Sequence, residues 1–171
     1  MAADITIRPA IRGDLAAITE IYNYFIRNTP ITFDVEPYTV ETRTPWFDGF
    51  AGGGRYRLFV AEQAGVVVAY AGSMPFHHKR AYETSVETTI YCASGMEGRG
   101  VGTRLYEALF DAIGGQDIHR AMAGITLPNA ASVALHRRFG FTQVALFTEN
   151  GRKFGRYWDV AWFEKPFGGT S

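Results

Sequence analysis

The chain has almost no cysteine. Cys92 is the only one, so no internal disulfide can form, and a reducing compartment fits. It also lacks net charge: seventeen Lys and Arg balance seventeen Asp and Glu, which argues against a protein that coats nucleic acid. No uncharged run is long enough to span a bilayer, and the opening MAADITIRPA has no apolar signal core. A soluble cytoplasmic protein is expected, with no nucleic-acid or membrane partner. Repeats and low-complexity linkers are missing, so residues 1–171 are expected to form one domain. A metal site is not expected either. His77 and His78 are adjacent, without the spacing to face one ion, and no Cys or acidic cluster completes a ligand set.

What is present in quantity is aromatic: thirteen Phe and nine Tyr contribute to an aromatic fraction of 15%. These side chains build a core, and they could also line a pocket or a dimer interface. Residues 4–10 alternate like a strand. Asp14 is placed to N-cap a helix through Arg27, with Leu15, Ile18, Tyr22, Phe25 and Ile26 on one face. The stretch 28–39 reads as irregular and 40–50 as a second helix. Residues 56–76 read as a hairpin turning near Gln63–Gly65. HHKRAYE (77–83) is a polar loop, and the β-branched 84–94 is a strand. A helix follows to Ile113, then a strand at 119–127 and a short helix at 129–140 closed by Gly140. Two last strands are expected to join near Asn150–Gly151, and GGTS (168–171) reads as a frayed end. The order is β α α β β β α β α β β, an α/β chain with a mixed sheet.

Between the strand at 84–94 and its helix lies Glu97-Gly98-Arg99-Gly100-Val101-Gly102-Thr103. Glycine is costly to hold in one conformation, so the cluster needs a reason. It is not a dinucleotide fingerprint, because the sixth position from Gly98 is Thr103. Nor is it a P-loop, because no Gly-Lys-Ser/Thr closes it. Two readings remain. In one, successive amides and a helix N-terminus cradle a phosphate or pyrophosphate, with Arg99 adding charge. In the other, the loop is a tight strand-to-helix turn without a ligand.

In this context the loop resembles the acetyl-CoA motif of the GNAT N-acetyltransferases, Gln/Arg-x-x-Gly-x-Gly/Ala, except that Glu97 stands at the first position. A carboxylate there is expected to point away from a pyrophosphate or to pair with Arg99. The blocks VETTIYCA, LPNAASVALHRRFGF, GRKFGRYWDVAWFE and the early IYNYFIRNTPITFD are similar to the phosphinothricin/methionine sulfoximine branch of that family, over nearly the whole chain. The resemblance implies a mostly antiparallel sheet of about seven strands with about four helices, splayed at the acetyl-CoA site. It implies acetyl-CoA as co-substrate and a homodimer. It also implies direct acetyl transfer to the α-amine of phosphinothricin, methionine sulfoximine or methionine sulfone.

Residue roles follow from the resemblance. Gly98, Arg99, Gly100, Val101, Gly102 and Thr103 would hold the pyrophosphate. Ile90, Tyr91 and Cys92 would meet the pantetheine arm and acetyl oxygen, mainly through backbone, and Asn129 would bond the same arm. Glu87 would be the base, since a glutamate in a partly apolar pocket has a raised pKa; otherwise it is an exposed strand residue. His136 stands where many relatives place the tyrosine that protonates the thiolate, and it is a candidate acid or contact. Phe33 would wall the acceptor pocket, with Arg80 and Tyr82 at its edge, the arginine suited to a carboxylate. Cys92 reads as a buried thiol rather than an acyl-accepting nucleophile. Other acceptors (a polyamine, an aminoglycoside or a protein amine) remain open, as does a non-catalytic acyl-CoA-binding module.

Overall fold

Seven strands, β1 (Ile5–Pro9), β2 (Leu58–Gln63), β3 (Val66–Pro75), β4 (Ser85–Cys92), β5 (Arg120–Leu127), β6 (Thr142–Lys153) and β7 (Arg156–Pro166), form one sheet in the computed structural model. Their spatial order is β1-β2-β3-β4-β5-β7-β6. The helices are α1 (Leu15–Asn28), α2 (Val40–Asp48), α3 (Val101–Ile113) and α4 (Ala130–Arg138). Residues 4–167 are described, so the end expected at 168–171 lies outside the described residues. Among the described residues, no helix is long and apolar enough to cross a membrane. Every strand pair is antiparallel except β4 with β5. The order of elements and the mixed sheet agree with the sequence reading.

Local chemistry sets the punctuation. Ala64 and Gly65 both take positive φ, which turns β2 into β3. Phe154 and Gly155 do the same between β6 and β7, so the last turn lies four residues beyond the expected Asn150–Gly151. That pair falls at a bulge inside β6, where the register shifts between Phe147 and Gly151. Glu149 takes positive φ there, and its N–H donates to Asp159 Oδ1. Gly151 is required for another reason: a Cβ at that position would overlap the Phe33 ring. Asp14 does precede α1, but its carboxylate makes no cap bond to that helix. It accepts from Ile11 N–H and, through both oxygens, from Arg8, which also binds Glu62. α2 has the better cap. Thr39 Oγ1 accepts from Thr42 N–H, and Thr42 Oγ1 accepts from Thr39 N–H. This box fixes the first turn of α2 and therefore the position of Arg43.

Side chains alternate across a strand, so β4 serves both faces of the sheet. Val86, Ile90 and Cys92 pack with Leu105, Tyr106, Leu109 and Ile113 under α3. Tyr91 faces the other way, into a cluster with Ile18, Tyr22, Tyr70 and Trp46 under α1 and α2. β6 lies at the sheet edge and leaves Val144, Leu146 and Phe147 about half exposed.

Candidate active site

β4 and β5 are joined over only three register pairs, Ser85 with Arg120, Val86 with Ala121 and Glu87 with Met122. Past Glu87 the strands part. β4 stays paired with β3 as far as Cys92, and β5 stays paired with β7 as far as Leu127. Thr88 lies at the split, with its hydroxyl 3.4 Å from Met122 O. In an antiparallel pair, alternate residues direct both polar backbone groups the same way. Ser85 O accepts from Phe76, and Ala93 N donates to Val68 O, so the odd-numbered residues of β4 face β3. Thr88, Ile90 and Cys92 therefore present N–H and C=O toward the gap. Tyr91 does not; its backbone faces β3. Its side chain borders the gap instead.

The gap is a cleft of about 570 Å³. Glu87 and Thr88–Cys92 form one wall, Gly124, Ile125 and Thr126 another, and α3 and α4 the end. Gly98, Gly100, Val101, Gly102, Thr103 and Asn129 all border it. Gly98 and Gly100 have φ of +72° and +74° with open space where a Cβ would sit, so it is backbone conformation that demands glycine at both. Gly102 is helical and is needed for contact, since a Cβ would come within 3.1 Å of Leu135. Arg99 is the one loop residue that does not line the cleft. Its guanidinium turns onto Met96 Sδ at 3.4 Å. Glu97 folds back to accept from Gly95 N–H at 2.8 Å. Burial, with the Glu97 charge nearby, pushes the Cys92 thiol up to about 11, so it stays protonated and is a poor nucleophile.

His136 is 3% exposed and lies among Tyr106, Phe141 and Phe163. Its Nδ1 is 2.8 Å from Ser132 O, which can only accept, so Nδ1 carries the proton. Nε2 then accepts from the Tyr106 hydroxyl at 2.9 Å. Burial lowers the His136 pKa against the smaller effect of the Ser132 bond, so the ring stays neutral. Both nitrogens are engaged, Nδ1 by Ser132 and Nε2 by Tyr106, and His136, Tyr106 and Ser132 all border the cleft. Asn129 caps α4, with Oδ1 accepting from Ser132 N–H at 3.2 Å.

A second cavity, of about 360 Å³, opens on the α1/α2 face and shares Glu87, Thr89 and Tyr91 with the cleft. Phe33, Trp46, Met74 and Arg43 are among its other walls. Glu87 therefore stands where the two spaces meet, and burial alone raises its carboxyl to about 6. Phe33 is brought to this cavity, but Arg80 and Tyr82 are not. They sit in an exposed 3-10 turn, with the Tyr82 ring against Phe76 and His77, and line neither space. His77 stacks on His78 at 4.4 Å. Among the described residues no group of three His, Cys, Asp or Glu could hold a metal ion.

Sequence reasoning missed Tyr106, Arg43 and Arg138. Tyr106 reads as one more apolar position of α3. Arg138, at the end of α4, borders the cleft, and its signal is a cation two residues before the glycine-phenylalanine pair of that block. Arg43 has no local signal at all.

Residues 7–162 match the family model described as acetyltransferase (GNAT) domain. The phosphinothricin N-acetyltransferase of Streptomyces coelicolor is 53% identical over 96% of this chain and 97% of its own length. The L-methionine sulfoximine/L-methionine sulfone acetyltransferase of Pseudomonas paraeruginosa is 33% identical over 93% of this chain and 92% of its own. Among solved structures, a GNAT superfamily phosphinothricin acetyltransferase from Sinorhizobium meliloti, in complex with acetyl-CoA, superposes with a TM-score of 0.90. That structure is 32% identical and covers 98% of this chain and 90% of the other.

Proposed function

The chain belongs to the acetyltransferase (GNAT) family, and we propose that it moves acetyl from acetyl-CoA to the α-amine of a small amino-acid analogue by direct transfer in a ternary complex. Phosphinothricin, methionine sulfoximine and methionine sulfone are the acceptors of choice, after the named activities of the relatives. The observation that carries this reading is the meeting of two spaces at Glu87, one between parted strands and one on the α1/α2 face. Direct transfer needs that layout, with thioester and amine entering by separate doors and reacting at a shared wall.

The residues present suit the co-substrate. Ile90 and Cys92 offer unpaired backbone groups to an extended amide-bearing arm, much as a missing strand would. An N–H aimed at the developing oxyanion is a large catalytic contribution. Gly98 and Gly100, in left-handed conformation, and the N-terminus of α3 suit the pyrophosphate. Val101, Gly102, Thr103 and Asn129 complete the wall, and Arg138 supplies the cation that Arg99 does not bring.

The chemistry then divides among few groups. The amine loses a proton to Glu87, directly or through a water, and its nitrogen attacks the acetyl carbon. The carbon–sulfur bond breaks, and the thiolate takes its proton from the Tyr106 hydroxyl as that group turns from His136 Nε2 to the sulfur; Glu87 releases the amine proton to solvent, and Tyr106 regains one from solvent. A homodimer completes the assembly, with the exposed Val144, Leu146 and Phe147 of edge strand β6 supplying apolar surface for a second copy.

A thiol-release assay over an amine panel tests the reading. CoA release with phosphinothricin, methionine sulfoximine or methionine sulfone is expected, with the α-N-acetyl product identified by mass spectrometry. Release only with polyamines, aminoglycosides or protein amines would overturn the acceptor assignment. CoA binding without release would leave a binding module.

A further inference from the structure

Arg43 is a buried cation whose charge the protein does not answer. It is 6% exposed, yet among the described residues no carboxylate lies within 4.0 Å of its guanidinium. Its Nε–H is one of two buried side-chain polar atoms without a partner among the described residues; the other is the Tyr70 hydroxyl. The two orphans are neighbours: against burial, Arg43 acts to lower the Tyr70 hydroxyl through its charge and a hydrogen-bond contact, and does the same at Tyr38, so neutral hydroxyls, not a carboxylate, stand beside the guanidinium.

Three rings hold the guanidinium. Its central carbon lies 3.9 Å from the Trp46 centroid, 4.2 Å from Tyr22 and 4.9 Å from Tyr38. Aromatic faces offset part of the desolvation of a cation, but they accept poorly from N–H groups in the guanidinium plane. An unpaired buried charge is among the most costly things a fold can hold. The nearby acid does not resolve it. Asp34 Oδ2 already accepts from the hydroxyls of Tyr22 at 2.7 Å and Tyr38 at 3.2 Å. Glu87 does not resolve it either, although it lines the same cavity, because burial alone sets its titration.

We propose that Arg43 is the anion anchor of the acceptor pocket: it takes an oxyanion of the acceptor while Glu87, which lines the same cavity, receives the amine. The proposal deepens the transfer reading and rests on it for the identity of the acceptor. A zwitterionic amino acid fits between an unpaired cation and a base. The planar fork of arginine suits the two oxygens of a carboxylate or phosphinate, and the ring cage removes the rotamer freedom that would otherwise oppose binding. Exposed Arg80, outside the cavity, is not needed for this contact.

The acidic group has two sources, the α-carboxylate and, in phosphinothricin, the side-chain phosphinate. The test uses four acceptors: methionine sulfone, its α-carboxamide, phosphinothricin and its α-carboxamide. It compares wild type with Arg43→Gln and Arg43→Lys, each first checked for an unchanged melting cooperativity. For Arg43→Gln, KM for the acids rises about 10- to 100-fold, the scale of a lost charged hydrogen bond, while kcat and the KM for acetyl-CoA hold. Discrimination between acid and amide collapses. Collapse within the methionine sulfone pair assigns the α-carboxylate; collapse between the two amides assigns the phosphinate. Arg43→Lys restores part of the affinity.

A second readout needs no turnover: fluorescence of Trp46, identified by its loss in Trp46→Phe, titrated with methionine sulfone or its amide in the absence of acetyl-CoA. The acid, not the amide, perturbs wild type, and neither perturbs Arg43→Gln. If no amino-acid analogue is acetylated but this titration follows Arg43, the anchor stands and the transfer reading falls. If acetylation proceeds and Arg43→Gln keeps its preference for acids, or loses acid and amide equally, the anchor falls and the transfer reading stands.

Discussion

Glu87 lies opposite Met122 in the last register step that β4 and β5 share, while its own N–H and C=O face Met74 of β3, so the candidate base is held at the point where the sheet opens. The strand on its β3 side runs on, opposite Met74 and beyond. This gives the carboxylate a rigid mount in a place that a loop would leave loose.

Glu87→Gln is expected to lower kcat by about 10²- to 10⁴-fold, the range of a lost general base, with acetyl-CoA affinity unchanged by calorimetry. The pH profile of wild type has a matching signature. Burial raises the carboxyl to about 6, and a base works only when deprotonated, so kcat/KM climbs as pH rises through about 6. Full activity in Glu87→Gln would remove this residue from the mechanism.

Tyr106→Phe deletes the donor that His136 Nε2 uses. A buried acceptor left unmatched costs about 1–3 kcal/mol, read as a fall in the urea midpoint. A drop in kcat larger than in His136→Gln, at equal acetyl-CoA KM, would mark Tyr106 as the group nearer the leaving sulfur. Equal rates for Tyr106→Phe and wild type would leave the pair a packing feature only.

Gly151→Ala places a methyl into the Phe33 ring. The ring has to swing within the acceptor cavity it lines. Steady-state kinetics should show acceptor KM rising about tenfold, the scale of one misplaced methyl in a pocket, with acetyl-CoA KM unmoved. The converse pattern is expected for Gly100→Ala. A left-handed alanine costs about 1–2 kcal/mol, and the loss falls on acetyl-CoA instead of the amine.

Asp14→Asn tests the fold rather than the site. Burial works to raise the Asp14 carboxyl, but Arg8 and the Ile11 amide outweigh it and hold the carboxyl below its usual range. A depressed folded pKa contributes stability above the unfolded carboxylate pKa and loses it as pH falls through the folded value. Chemical denaturation at neutral pH should therefore show Asp14→Asn weaker by about 2 kcal/mol, and the gap to wild type should close in acid.

Much of this is legible along the chain. Strands and helices were read in their correct order because alternation and helical periodicity are local. The glycine loop was legible for the same reason, since left-handed φ at 98 and 100 is a property of single residues. The misreadings share one cause. Asn150–Gly151 has the composition of a turn, yet the contact that requires Gly151 comes from Phe33, more than a hundred residues away. Asp14 has the composition of a cap, yet Arg8 and the Ile11 amide take its carboxylate. Which groups Tyr91 presents depends on its parity relative to β3, which composition does not carry. Arg80 lies outside both spaces, whereas Arg43 reaches the cavity because α2 folds against α1 and sets its guanidinium over Tyr22, a contact that no local pattern announces.

The parting of β4 from β5 also gives this sheet an edge in its interior. Edge strands exchange their outward amides readily, and they template pairing with other extended chains. The amides of Ile90 and Cys92 lie at the centre of a seven-stranded sheet, yet in hydrogen exchange they will behave like those of an outermost strand. Only an extended molecule seated beside them will bring them to the protection of their neighbours Thr89 and Tyr91. Residue-by-residue exchange thus reports occupancy of the cleft without any enzymatic readout.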